Sequence, residues 1–384
     1  MTLRRPTPTR TTTLACATVL ACFLAACDSA TQSNDERPTD PGTVTVTETQ
    51  TQTDNTPTID PNDPVRVAGT IASDLAAPWG LGFLPDGTAL VTQRDLGTIS
   101  LIDGASVREV GTIDETAPTS EGGLLGLAVS PDFATDQRVF VYVTTAEDNR
   151  VLSLRFDGSS ISGIEPILTG IPNGDIHDGG RLAFGPDGFL YVSTGETGDE
   201  DLSQDDDSLG GKILRITPEG DPAPGNPDEQ SPVWTKGHRN VQGLAFDDQD
   251  RLWASEFGSQ VWDEVNRIEP GNNYGWPLGE GDSNLEGYVD PQVQWSPDEA
   301  SPSSVAFADG ALWVASLRGE RLWQVPIKAD GRLGRPVPHF VGAYGRLRTV
   351  VAAPDGSLWL GTSNRDGRGY PAPSDDRILR VTVS

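Results

Sequence analysis

Of the three histidines in this 384-residue chain, His177 stands where proton chemistry is possible. It is followed at once by Asp178-Gly179-Gly180-Arg181, an apolar run (Leu182 to Phe184), a Gly-Pro-Asp-Gly turn and the alternating run Phe189-Leu190-Tyr191-Val192-Ser193. An acidic loop around Glu196 closes the stretch. A histidine in a glycine-rich loop, ahead of a strand that leads to a carboxylate, has the makings of a general base with a partner to orient its ring.

Cations gather in three further stretches. Lys236-Gly237-His238-Arg239-Asn240-Val241-Gln242-Gly243 carries Arg239 and Asn240, whose planar donors suit carboxylates and carbonyls. Arg318 is followed by Gly319, and Arg346-Leu347-Arg348 places two guanidiniums two residues apart, on one side of a strand. These arginines recur at comparable places along the chain and point to a small polyanionic ligand; each could instead pair with a surface carboxylate. Oxygen donors cluster in Ser255 to Ser259, in Asp263-Glu264 and in Gly271 to Pro277, which includes Tyr274. Such hard ligands suit Ca²⁺ better than zinc or copper. Asp205-Asp206-Asp207 reads more simply as a solvated loop.

The elements that must position these groups repeat. Apolar runs begin at Trp79, Gly123, Gly180, Gly243, Ser304 and Arg348. Each leads through a Pro-Asp-Gly-type turn to a period-two strand and on to a later strand carrying Arg or Trp. The Asp-Gly pair supplies the positive φ of a tight hairpin, and alternation marks half-buried strands. Long helical periodicity is absent. The spacing predicts an all-β chain folded as a six-bladed β-propeller. The leftover strand Val65 to Ile71 is expected to join the last blade and close the ring.

Composition sets the surroundings. The chain carries a formal charge of -28, and residues 64–384 hold 48 acidic against 24 basic residues, which argues against nucleic acid. Residues 1–27 read as a processed leader: Arg4, Arg5 and Arg10, a short apolar stretch from Leu14, then Leu24-Ala25-Ala26-Cys27, which resembles a bacterial lipobox. Cys27 is then the lipidated first residue, and membrane contact is through that lipid only. Residues 28–63, rich in Thr, Gln, Asp and Pro, form a disordered polar tether. All three cysteines fall within the leader, so the domain of residues 64–384 has no disulfide, thiolate metal site or cysteine nucleophile. The address is the cell envelope, on the outer face of the cytoplasmic membrane.

Taken together, IHDGGRLAFGPDGFLYVSTGE, GHRNVQGLAF, DEVNRIEPGNNYGWP and GRLRTVVAAPDG resemble the soluble PQQ-dependent glucose/sorbosone (aldose sugar) dehydrogenases, over nearly all of residues 64–384 and in the same order. The resemblance implies pyrroloquinoline quinone (PQQ) and Ca²⁺ on the propeller axis and oxidation of an aldose at C1 to the lactone, with an unidentified electron acceptor. It implies that His177 is the catalytic base and that Glu196 orients it. Arg239 and Asn240 match the family's quinone contacts, and Arg346 and Arg348 match residues that meet the PQQ carboxylates. The carbonyls of Gly258 and Ser259 match ligands of the Ca²⁺, with Glu264 and Tyr274 beside them. Glu121, Arg318, Glu196 and Ser259 depart from the family's Gln, Lys, Asp and Pro, which bears on substrate preference and cofactor affinity. Two alternatives stay open at this level: a cofactor-free envelope propeller that binds a glycan or protein, and a Ca²⁺-dependent lactonase-type propeller.

Overall fold

A computed structural model describes residues 63–383. The leader with Cys27, and the tether except for its last residue Asp63, lie outside the described residues. From Arg66 onward the chain forms six antiparallel four-stranded sheets. The strand nearest the axis in each blade is Pro78–Phe83, Leu124–Val129, Leu182–Phe184, Val241–Phe246, Pro302–Ala308 and Leu347–Ala352 in turn. These inner strands begin within two residues of the positions at which the sequence repeat restarts. The turns that follow them carry the expected glycines at positive φ, Gly87, Gly188 and Gly356 among them.

The sixth blade shows how the ring closes. Arg66–Ala72, the first strand of the domain, pairs antiparallel with Ile378–Thr382, the last, so a single sheet holds both ends of the domain. Val65 and Val67 are buried in the same cluster as Leu379 and Val381, which ties closure to apolar burial as well as to the ladder. Ala72 lies level with Ile378 at the end nearest the axial cavity, while Arg66 lies level with Thr382 at the opposite end. The chain therefore enters the propeller on the face away from the cavity.

Between blades the sheets pack through large buried side chains, Trp79, Trp253 and Trp313 among them. The inner strands approach closely: a Cβ at Gly80 would sit 2.5 Å from the Leu127 amide nitrogen of the next blade. Each inner strand starts at the cavity end. Two kinds of loop consequently line the mouth: those that lead into inner strands, and those that join the second strand of a blade to its third. His177, Glu196, Arg239, Asn240, Arg318 and Arg346 lie on one or other kind, whereas Glu264 lies within a third strand and Tyr274 between a third strand and a fourth.

Candidate active site

His177 sits in the loop leading into the third blade's inner strand, with φ at +60°, a left-handed conformation that a non-glycine residue adopts only when its surroundings enforce it. Three contacts do so. The His177 amide donates to Glu121 Oε2 (3.0 Å), and the Gly179 amide donates to Asn240 Oδ1 (3.1 Å). Gly195 lies so close beneath that a Cβ there would collide with the His177 carbonyl oxygen. The Asp-Gly-Gly sequence and the glycine before Glu196 are thus requirements of one tight crossing.

The ring is held as firmly as the backbone. His177 Nδ1 and Glu196 Oε1 are 2.5 Å apart, and Glu196 is 2 % exposed. With Nδ1–H donated to that carboxylate, Nε2 is the nitrogen left basic. Asp178, next in sequence, accepts from Asn149 Nδ2 (2.9 Å) and from the Gly174 amide (3.1 Å) and so pins the start of the loop. Burial pushes its carboxyl up to about 6 in spite of those bonds.

The histidine faces a cavity of about 390 Å³ on the axis, lined by six arginines, Arg94, Arg239, Arg318, Arg346, Arg348 and Arg368, against only two carboxylates, Glu121 and Asp366. Asp366 is central. It receives Arg346 Nε and Nη2 (both 3.0 Å) and Arg348 Nη2 (3.3 Å), and these two cations outweigh burial to hold its carboxyl below the ordinary value. Arg348 also donates to Ser363 Oγ (3.0 Å) and Gln242 Oε1 (3.3 Å), and burial lowers its guanidinium to about 10. Deeper on the axis Arg181 stacks on Trp79 at 4.0 Å and donates to the Gln242 and Trp79 carbonyls, with no carboxylate partner. Burial brings it to about 9, so it too is charged at neutral pH. The cavity and its floor carry a clear excess of positive charge inside a strongly acidic protein, which is the field a polyanion requires.

The structure brings His177, Glu121, Arg239, Asn240, Arg318, Arg346 and Arg348 to this cavity, with Glu196 directly behind His177. The expectation of comparable positions needs correction at Arg318. It lies between the second and third strands of its blade rather than before an inner strand, its side chain is 63 % exposed, and it pairs with Asp298 at 2.6 Å.

Arg239 Nη1 donates to the Gly258 carbonyl (2.5 Å), its guanidinium lies 5.4 Å from the Trp276 ring centre, and its amide donates to Glu256. The amides of Gly258 and Ser259 turn instead to Asp263 (2.9 Å) and Glu280 (2.7 Å). None of the four residues expected at the metal, Gly258, Ser259, Glu264 and Tyr274, lines the cavity. The Tyr274 hydroxyl donates to the Arg267 carbonyl (2.7 Å) while its ring stacks on His238, and Glu264 is buried against Asn266 and the Gly281 amide. Burial first, then the neighbouring Glu256, pushes the Glu264 carboxyl up from its ordinary value. Among the described residues no three His, Cys, Asp or Glu side chains converge on a metal-sized space.

Sequence reasoning missed Arg94, Asp366, Arg368 and Gln242. All but Gln242 lie in the loop that follows the second strand of a blade, as Glu196 and Arg318 do. Their shared place emerges only when the blades are compared in the closed ring, where loops past the second strands of the first, fourth, fifth and sixth blades line the cavity.

A family model described as Glucose / Sorbosone dehydrogenase matches residues 75–379. The chain belongs to the glucose/sorbosone dehydrogenase family. Within this family its fold is similar to the PQQ-bound form of aldose sugar dehydrogenase from Streptomyces coelicolor, with 52 % identity and a TM-score of 0.82, over 83 % of this chain and 98 % of that one. It is also similar to aldose sugar dehydrogenase YliI of Escherichia coli, 28 % identical over 76 % of this chain and 88 % of that protein. Quinoprotein glucose dehydrogenase B of Acinetobacter calcoaceticus is 31 % identical over 57 % of this chain and 53 % of its own length.

The buried carboxyl beside the family's histidine loop gives a stability prediction. Asp178 titrates near 6 in the folded state against an ordinary value of 3.8, so the fold binds its proton more tightly than the unfolded chain does. That contribution is complete below about pH 4 and is lost as pH rises through 6, on the order of 2–3 kcal/mol. Asp178→Asn removes it. Urea unfolding at pH 4 and pH 7 should show the variant gaining on the wild type by about that amount at the higher pH, and an unchanged difference would show that Asp178 does not titrate in this way.

Proposed function

We propose that this chain is a quinoprotein that oxidises an aldose at C1 to the lactone, using PQQ and Ca²⁺. The observation that carries the reading is the juxtaposition of a carboxylate-held histidine with a ring of guanidiniums around one axial cavity. A cofactor-free binding propeller has no use for the ordered base, and a lactonase-type propeller has none for six arginines.

The residues fit the group. Arg346 and Arg348 would take its carboxylates, replacing part of what Asp366 now supplies. Arg239 and Asn240 would meet its quinone edge. The donor set that would be offered to Ca²⁺ is backbone oxygen, that of Ser259 and that of Gly258, whose carbonyl now accepts from Arg239 Nη1 and would exchange that donor for the metal. When bound, PQQ supplies the two-electron acceptor for the C1 hydride and Ca²⁺ polarises it as a Lewis acid.

The chain does the rest. His177 Nε2 takes the proton of the C1 hydroxyl, and Glu196 stabilises the imidazolium formed as the charge moves onto Nδ1–H. Glu121 and Asn240 keep the loop in place through its backbone, so the base does not reorient between turnovers. Positive charge from Arg239 and Arg348 favours negative charge developing in the cavity.

Isothermal titration of the protein with PQQ in excess Ca²⁺ is expected to give saturable binding, and dye reduction by an aldose should require both. Arg348→Ala should weaken PQQ by roughly one to two decades, as loss of a charge-assisted contact worth about 1.5–3 kcal/mol requires. No heat of binding in the wild type would discard the quinoprotein reading. An unaltered dissociation constant in the variant would remove Arg348 from the site.

With PQQ and Ca²⁺ saturating, His177→Gln should retain cofactor binding and lose roughly 10²–10⁴-fold in turnover, while Glu196→Gln loses less because the base survives. Turnover of His177→Gln within a few-fold of wild type would sink the assignment.

Export and anchoring through Cys27 are proposed on the leader sequence. Mass spectrometry of the mature N-terminus should find a diacylated cysteine there, and an unmodified or differently placed N-terminus would contradict it.

A further inference from the structure

Among the described residues nine large apolar side chains are exposed. Val107, Ile164 and Val337 lie on outermost strands, as expected where a blade meets solvent. The other six, Leu96, Val261, Leu278, Leu285, Val341 and Tyr370, all stand on loops of the cavity face. Six exposed apolar side chains gathered on one face of an otherwise highly charged protein mark a contact surface.

Three of the six, Val261, Leu278 and Leu285, stand on two neighbouring loops that form a lip on the fourth blade. The segment from Glu269 to Gln292 starts at the far end of its blade and climbs to the mouth, where the Trp276 amide donates to the Gly237 carbonyl (3.0 Å) and the Gly281 amide to Glu264 (2.6 Å). There Glu280 Oε1 gathers the amides of Ser259 (2.7 Å), Val261 (3.1 Å) and Trp262 (3.0 Å), so two loops are tied around one carboxylate. Leu285 packs over Gly279, and the Trp262 ring packs over Gly281. This order holds Val261 (53 % exposed) and Leu278 (62 % exposed) out into solvent, where a collapsing loop would have buried them. The lip is continuous with the cavity wall through Phe257 and through Arg239, which reaches both Gly258 and Trp276.

Charge around the lip is predominantly acidic. Asp282, Glu286 and Glu299 are exposed, and Asp298 is 77 % exposed with only Arg318 to offset it. An apolar centre in an acidic border suits a protein with an apolar face ringed by lysines, and it disfavours an anionic lipid surface or a second copy of this acidic chain.

We propose that this lip is the docking surface of a cationic one-electron carrier protein of the haem or copper class. The inference rests on the quinoprotein reading above. Oxidation of one aldose to its lactone releases two electrons and two protons, so two oxidised carriers must dock in succession, each leaving with one electron while both protons pass to solvent. Short electron paths require the carrier's redox group to approach the cavity, and the lip is the apolar surface that adjoins it.

The test uses protein loaded with PQQ and Ca²⁺, a small dye as one acceptor, and mitochondrial-type cytochrome c, a cationic haem protein, as the other. Two variants are compared: Val261→Asp/Leu278→Asp, which spoils the apolar centre, and Asp282→Lys/Glu286→Lys, which reverses the border. Both should bind PQQ and reduce dye within about twofold of wild type. Both should reduce cytochrome c at least about tenfold more slowly and bind it correspondingly less well by calorimetry at low salt. The wild-type rate with cytochrome c should fall with ionic strength, and that fall should flatten in the lysine variant. Unchanged cytochrome c binding and reduction in both variants would overturn the proposal. So would a wild-type dimer that the aspartate variant dissociates, which would assign the face to self-association, or binding to anionic vesicles that the same variant abolishes. A wild type that binds PQQ and reduces dye but not cytochrome c would exclude the partner class while leaving the quinoprotein reading intact. Failure to bind PQQ or reduce dye would overturn that reading and this proposal with it.

Discussion

Like charges crowd the axis of this propeller, and one buried carboxylate keeps them there. Arg346 and Arg348 both bond Asp366, while Arg181 lies deeper with no carboxylate of its own. Guanidiniums taken out of water need either a counter-charge or a full set of acceptors. Asp366 supplies the first for two of them. Arg181 has neither in full: Nε and Nη1 reach the Gln242 and Trp79 carbonyls and the guanidinium stacks on Trp79, while its buried Nη2 has no partner. The arrangement is stable enough to fold and electrostatically incomplete, and a bound polyanion would complete it.

The closed ring makes such crowding possible. Each blade contributes one inner strand whose first residues face the axis, so groups far apart in the chain share one small space. Closure by Arg66–Ala72 against Ile378–Thr382 fixes the ring's circumference and hence the cavity's width. The His177 loop then needs support from several blades. Glu121 from the second blade's approach holds the His177 amide, and Asn240 from the fourth's holds Gly179. Backbone strain at His177 persists because the neighbouring elements over-determine it.

The fourth blade departs most from the repeat, and its long insertion serves the mouth rather than the core. Its buried network of His238, Glu256, Asn266 and Glu264 lies behind Arg239 and takes that residue's amide through Glu256. Glu264 and Tyr274, which look like oxygen ligands in the sequence, belong to this supporting layer. Their polar atoms are already partnered within it, by Asn266 and Gly281 in one case and by Arg267 and Glu269 in the other.

What the sequence determined by itself was whatever repeats or is local. Six recurrences of an apolar run, an Asp-Gly turn and an alternating strand specify six blades, because hairpin geometry and side-chain alternation are set within a few residues. His177 with its glycines, Glu196 and the Arg346-Leu347-Arg348 triplet were legible for the same reason: each lies at a fixed offset from a strand. Arg94, Asp366 and Arg368 were not read, because their role depends on which loops face the mouth. That is a property of ring closure, and no single repeat carries it. The different fates of Arg318, exposed and paired with Asp298, and Arg348, buried and shared with Asp366, were likewise decided by tertiary structure. Both are arginines close to the end of a strand, and only the depth at which each loop meets the axis separates a solvated cation from a buried one.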